Sequence, residues 1–142
     1  MSETITIHAT CVAIDGRAVL LTGPSGAGKS DLAMRLIDRG AILVSDDYTV
    51  LVRADGTLIA GAPPTIAGQI EVRGLGIIAR PSRDAVPVAL AVDLRREDER
   101  MPEPHSVAIH GVAVPQVAID PRFPSAPIKV EWALARQAET RA

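Results

Sequence analysis

The sequence predicts an α/β fold organised around a phosphate-binding loop, and three observations predict it. Gly23-Pro24-Ser25-Gly26-Ala27-Gly28-Lys29-Ser30 fits the pattern G-x-x-x-x-G-K-[ST] without mismatch. The loop is flanked by Ala18 to Thr22, a short apolar run suited to a buried strand, and by Asp31 to Arg39, where Leu32, Ala33, Leu36 and Ile37 recur at helical spacing. Composition agrees: hydrophobic residues make up 47% of the chain and aromatics only 2%, so the core is built from Ala, Val, Ile and Leu, as buried strands flanked by helices are. Four fixed positions arise by chance in roughly one chain in two hundred of this length, and the strand before and helix after make chance a poorer account still. In that setting, loop N–H groups and the helix N-terminus point at phosphate oxygens. Lys29 is placed for the β- and γ-phosphates and Ser30 for Mg²⁺.

With 142 residues there is room for one domain, residues 1–142, which buries about two-thirds of its unfolded surface. A net charge of −2 gives no electrostatic footprint for nucleic acid or an anionic membrane. Apolar runs are too short to span a bilayer, and Met1-Ser2-Glu3-Thr4 has no basic segment of the kind that opens a signal sequence, so a cytoplasmic protein is expected. Cys11 is the only cysteine, which excludes an internal disulfide; in an alternating strand it reads as a small core residue.

Each element follows from local pattern. Ile5 to Ile14 alternates as a strand, with Ile5, Ile7, Ala9, Cys11 and Ala13 on one side and Thr4, Thr6, His8 and Thr10 on the polar side. Asp15-Gly16 is a hairpin turn, so this strand returns directly as Arg17 to Thr22 and His8 is brought towards the phosphates. Gly40 ends the loop helix. Ala41 to Val44 is a buried strand that ends at Ser45-Asp46-Asp47. The carboxyl ends of strands line the ligand crevice of open α/β sheets, which sets both carboxylates facing the site of Lys29. Between them Asp46 and Asp47 supply what phosphoryl transfer to a hydroxyl requires, a proton acceptor and oxygen ligands for Mg²⁺.

Tyr48 to Arg53 and Leu58 to Ala60 are strands joined by the turn Ala54-Asp55-Gly56-Thr57, and Ala62-Pro63-Pro64 breaks the second. In Gly68 to Ile78, alternation sets Glu71 and Arg73 on one face and Ile70 and Val72 on the other, with two glycines following. A Glu there suits Mg²⁺ and an Arg suits developing phosphoryl charge; an exposed ion pair on a strand has the same pattern. Val86 to Leu94 is another apolar strand and runs into the charged segment Arg95-Arg96-Glu97-Asp98-Glu99-Arg100, a solvated loop by default. Val107 to Pro115 reads as a pair of short strands, Asp120 to Pro124 as a loop, and Ile128 to Arg141, with Val130, Leu134 and Ala138 four apart, as a final helix. His105 and His110 lack metal-ligand spacing and read as surface residues.

At these residues the sequence resembles the catalytic domain of the HPr kinase/phosphorylase family, in a short form without a preceding domain. The resemblance rests on His8 upstream of the loop, the loop Gly23 to Ser30, Asp46-Asp47 after the next strand, and the segment Ile70-Glu71-Val72-Arg73-Gly74-Leu75-Gly76-Ile77. It runs from His8 through Gly76 and loosens beyond. It implies the family's phosphate-loop kinase fold, shared with phosphoenolpyruvate carboxykinase, rather than a Rossmann sheet. It also implies an ATP- and Mg²⁺-dependent protein serine kinase acting on an HPr-like phosphocarrier of the phosphotransferase system. Asp47 would accept the serine proton and return it in the reverse reaction, His8 and Lys29 would belong to the catalytic set, and Ser30 and Glu71, with Asp46, would bind the metal. Arg100 is the best match to the family's loop arginine, with Arg95 and Arg96 as alternatives. A homohexamer is implied, and regulation residing in an N-terminal domain should be absent. Two positions depart from the family: Asp31 replaces a Glu after the loop, and Gln116 stands after Pro115 where a basic residue serves dephosphorylation, which leaves the reverse reaction open. The competing readings are a small-molecule kinase or simple NTPase on the same loop, and a nucleotide-sensing module without turnover.

Overall fold

The computed structural model describes residues 3–96 and 99–141, the side chains of 138–141 excepted. Of the residues named above, Met1, Ser2, Glu97, Asp98 and the side chains of Ala138 and Arg141 lie outside this set. Strands β1 (Glu3–Ile14) and β2 (Arg17–Thr22) form the expected hairpin, with Ile14 opposite Arg17. Its turn needs positive φ at both central residues, and Asp15 at 51° and Gly16 at 75° supply it. After the loop come α1 (Lys29–Asp38), β3 (Ile42–Ser45), β4 (Tyr48–Ala54), β5 (Thr57–Gly61), β6 (Gln69–Val72) and β7 (Gly76–Ala79). The chain ends with β8 (Val86–Leu94), β9 (His105–Ile109), β10 (Val112–Ile119) and α2 (Ala126–Arg141).

The main sheet mixes directions. Strand β8 lies parallel to both β2 and β10, whereas β1 pairs antiparallel with β2, β3 and β4. Strand β5 joins β4 to β8, so β1, β4, β5, β8 and β2 close a ring of pairings. One face of the sheet packs on the helices through Val19, Leu21, Val92, Leu36 and Leu134; the other packs strand on strand through Cys11, Leu20, Leu51, Leu58 and Ala91. Consecutive residues of β2 thus enter two different cores, which is why Ala18 to Leu21 is an unbroken apolar run. Helix α1 stops in a Schellman geometry: Ala41 N–H donates to Leu36 O and Gly40 N–H to Ile37 O, with Gly40 at φ 113°.

Several expectations are corrected. Alternation holds in β1 only to His8; from Ala9 to Ala13 every residue is buried, because this part of the strand has β2 along one edge, β3 and the Asp46-Asp47 turn along the other, and cores on both faces. Thr10, expected on the polar side, has no exposed surface. The strand carrying Glu71 ends at Val72, and Arg73 falls in a hairpin turn in which Leu75 N–H donates to Val72 O. Strand β10 runs past Pro115 to Ile119, since its pairing with β8 begins at Gln116. His110 is largely covered, with its side chain 13% exposed, at the turn between β9 and β10. Cys11 is wholly buried as expected, and burial pushes its thiol pKa up.

Candidate active site

The glycine loop leaves β2 and enters α1 with Gly28 as the residue before the helix, at φ 101°. A Cβ on Gly23 would lie 3.1 Å from that of Ala27 and 3.3 Å from Leu94 O, so the turn out of β2 is tight against β8. Ala27 N–H donates to Pro24 O at 3.0 Å. Lys29, only 6% exposed, donates from Nζ to Gly23 O at 2.7 Å and to Pro24 O at 3.1 Å. Its ammonium is therefore folded over the loop and held there by carbonyl dipoles, where a phosphate oxygen would be a stronger acceptor.

Strands β3 and β4 are two pieces of one antiparallel partner of β1. Cys11 pairs with Ser45 and His8 with Tyr48; Asp46 and Asp47 fall in the gap, which sets Thr10 beside them. The gap is a γ-turn: Tyr48 N–H donates to Asp46 O at 2.7 Å and the central residue Asp47 has φ 67°. This is the strained hand of that turn, and a backbone held there by its surroundings is a feature of functional sites. The Ser45 hydroxyl braces the turn by donating to Tyr48 O.

The two carboxylates have opposite environments. Asp46 is 7% exposed and accepts from Ser30 Oγ at 2.6 Å, Thr10 Oγ1 at 3.2 Å and Glu71 N–H at 2.9 Å. The Asp47 side chain is 55% exposed, and its Oδ1 lies 2.8 Å from His8 Nε2. His8 is backed by the Tyr48 ring, 5.3 Å between centroids. A cleft of about 390 Å³ is lined by residues of the loop and α1 that include Lys29 and Ser30, by Asp46 and Asp47, and at the end of β6 by Glu71, Val72 and Arg73; His8 meets it through Asp47. Strand β6 is held at that rim because Ile70, 3% exposed, packs into the helical core with Val72 and Ile78 beside it. Glu71 thus meets Asp46 through its backbone while its residue borders the cleft.

The structure brings together His8, Lys29, Ser30, Asp46, Asp47 and Glu71. It does not bring in Arg100, which is exposed after β8 and is not among the cleft-lining residues. Arg95 pairs with Asp93 at 3.2 Å, and Arg96 lies within electrostatic reach of Asp120. Gln116 is likewise outside the cleft lining; its carboxamide oxygen lies 2.9 Å from His105 Nε2. Two neighbours of the site were not legible in the motif. Thr10 carries no signal beyond its place two residues past His8. Arg35, one turn after Asp31 and paired with it at 3.1 Å, fastens the segment after β10 by donating to Pro121 O at 2.7 Å and Phe123 O at 3.3 Å. In that segment Asp120, 2% exposed, is gripped by Arg122 at 2.7 Å, which holds its carboxyl down at about 2.

A family model described as HPr Serine kinase C-terminal domain matches residues 1–121. The chain belongs to that family. A solved structure of the Hpr(Ser) kinase/phosphatase from Coxiella burnetii superposes with TM-score 0.80 at 31% identity, over 96% of this chain and 97% of that one. HPr kinase/phosphorylase of Clostridium botulinum (strain Eklund 17B / Type B) is 46% identical over 72 residues, 51% of this chain and 24% of that protein. The same protein of Lacticaseibacillus casei (strain BL23) is 42% identical over 79 residues, 55% of this chain and 25% of the relative. The chain thus matches about a quarter of the length of these curated relatives. The fold is the phosphate-loop architecture of the family, with helices packed on one face of the sheet, and not a doubly wound Rossmann sheet.

Proposed function

We propose that this protein is an ATP- and Mg²⁺-dependent protein serine kinase that phosphorylates an HPr-like phosphocarrier. The observation that carries the reading is the division between two adjacent carboxylates: Asp46 buried and held to the loop serine, Asp47 exposed at the cleft and held only by a histidine. A buried carboxylate tied to the phosphate loop and an exposed one open to a partner are suited to different tasks. An exposed base is also what a bulky acceptor requires, because a serine on another protein must reach it.

The loop amides and the α1 N-terminus would take the nucleotide phosphates, with Lys29 leaving its two carbonyls for the β- and γ-oxygens. The donor set fits Mg²⁺: a hydroxyl and a buried carboxylate only 2.6 Å apart, with Glu71 at the rim, are hard oxygen ligands, and such sites complete their shell with water and phosphate. When bound, the cation neutralises charge on the phosphate oxygens. Asp47 would accept the proton of the attacking serine, while His8 Nε2 at 2.8 Å fixes the carboxylate rotamer. Running backwards, Asp47 would return that proton, and the same cleft would admit inorganic phosphate. Arg100 belongs to this reading as a loop cation, and a homo-oligomer as its assembly.

The test is transfer from γ-labelled ATP to a purified HPr-like carrier. Label on a serine of the carrier, absent when that serine is Ala and absent without Mg²⁺, is the expected result. Nucleotide hydrolysis with no label on the carrier would overturn the reading in favour of a simple NTPase.

A further inference from the structure

Among the described residues, the only wholly buried hydroxyl hydrogen-bonded to the acidic pair belongs to Thr10, and it touches both members. Its Oγ1 accepts the Asp47 N–H at 3.0 Å and donates to Asp46 Oδ1 at 3.2 Å. A threonine hydroxyl has one hydrogen, so an N–H arriving on the oxygen leaves that hydrogen for the carboxylate, and each contact fixes the direction of the other. The Asp47 amide is the one a γ-turn at φ 67° takes out of the β1 ladder. Thr10 stands where that ladder is interrupted, between the pairs Cys11–Ser45 and His8–Tyr48.

We infer that Thr10 is a positioning residue: its hydroxyl holds the strained turn that aims Asp47 into the cleft, and ties the turn to the Asp46–Ser30 pair. This deepens the kinase reading and rests on it. The base and the metal-side carboxylate then move as one unit, because a single oxygen bonds the backbone of one and the side chain of the other. The strain of a non-glycine residue at positive φ is held in place by three contacts, Thr10 to the amide, His8 to the side chain and Ser45 to Tyr48 O. Only the first reaches Asp46. A side chain of the same shape without the hydroxyl, Thr10→Val, removes both bonds while keeping β-branched packing; Thr10→Ser keeps both bonds and loses a methyl.

The experiment measures three quantities on the full chain as parent, Thr10→Val and Thr10→Ser: transfer rate to the carrier at saturating ATP, Kd for Mg·ATP, and hydrogen exchange of the Asp47 amide. Thr10→Val is expected to speed Asp47 exchange at least tenfold and to lower kcat about 10–100-fold, as loss of supporting contacts does. Its Mg·ATP Kd should stay within about threefold, because Lys29 and the loop are untouched. Thr10→Ser should recover kcat to within about threefold of the parent, which a purely steric role for the residue would not produce. Unchanged exchange in Thr10→Val would overturn the inference whatever the rate does, and faster exchange with unchanged kcat would overturn the catalytic part. A parent that transfers to no carrier overturns the kinase reading itself, and the exchange comparison then decides whether Thr10 holds the turn.

Discussion

Replacing Asp46 by Ala should cost the fold roughly 2–4 kcal/mol, and the figure follows from what its carboxylate satisfies. Three donors converge on it: Ser30 Oγ at 2.6 Å, Glu71 N–H at 2.9 Å and Thr10 Oγ1 at 3.2 Å. A buried donor left without an acceptor costs about 1–3 kcal/mol. Thr10 is wholly buried and bears the full cost, while the bonds from Ser30 and the Glu71 amide are part-buried and their donors, partly open to water, bear a fraction of it. Against this, the truncation removes repulsion between two neighbouring carboxylates, worth less than about 1 kcal/mol because Asp47 is exposed. The unsatisfied donors win. Urea unfolding followed by a far-UV signal, with the slope unchanged between parent and Asp46→Ala, measures the difference directly. For a chain of this size the same loss lowers Tm by roughly 5–15 °C. A change within about 0.5 kcal/mol would refute the description of Asp46 as the buried hub of the site.

Lys29→Ala should weaken Mg·ATP binding about 10–100-fold, the range for loss of a charged hydrogen bond to phosphate, as read by isothermal calorimetry; an unchanged Kd would mean that the ammonium stays on Gly23 O and Pro24 O. The Asp120–Arg122 pair sets a pH dependence of stability. A carboxyl held at about 2 in the folded state, against 3.8 in the open chain, stabilises the fold above pH 4 and loses that contribution as pH falls towards 2. Asp120→Asn should therefore be less stable than the parent at pH 6, with the gap closing between pH 4 and pH 2 in urea titrations; a gap constant across that window would show the pair to be inert.

The first half of the site could be read from the chain because its determinants are local. A glycine loop between an apolar run and an amphipathic helix is recognised by residues that adjoin in sequence, and Asp15-Gly16 determines how β1 returns. What could not be read depended on contacts remote in sequence. Alternation assigned Thr10 to the polar side, yet it is wholly buried, with β2 on one edge and the Asp46-Asp47 turn on the other, and there its hydroxyl reaches residues 36 and 37 positions away. That Asp46 is buried and Asp47 exposed goes with the γ-turn between them, and nothing in Ser45-Asp46-Asp47-Tyr48 announces one. Arg73 looked like the next residue of a strand; Gly74 at φ 93° and Gly76 at φ 97° turn the chain one residue earlier. The Asp120–Arg122 pair has no periodicity to betray it, only a spacing of two that lets the guanidinium fold back on the carboxylate. The loop arginine remained ambiguous because a charged run fixes no register, and Arg100 stands outside the cleft lining.

The most direct test of the central claim, that Asp47 is the proton acceptor in transfer to a protein serine, is the single-turnover rate of Asp47→Asn with an HPr-like carrier. Asparagine tolerates the positive φ of this turn and keeps an oxygen for His8, so the geometry survives while the basicity is lost. The account predicts a Mg·ATP Kd within about threefold of the parent and transfer slowed by roughly 10²–10⁴-fold, the contribution of a positioned base. Near-parental transfer by Asp47→Asn, with ATP bound normally, would contradict it.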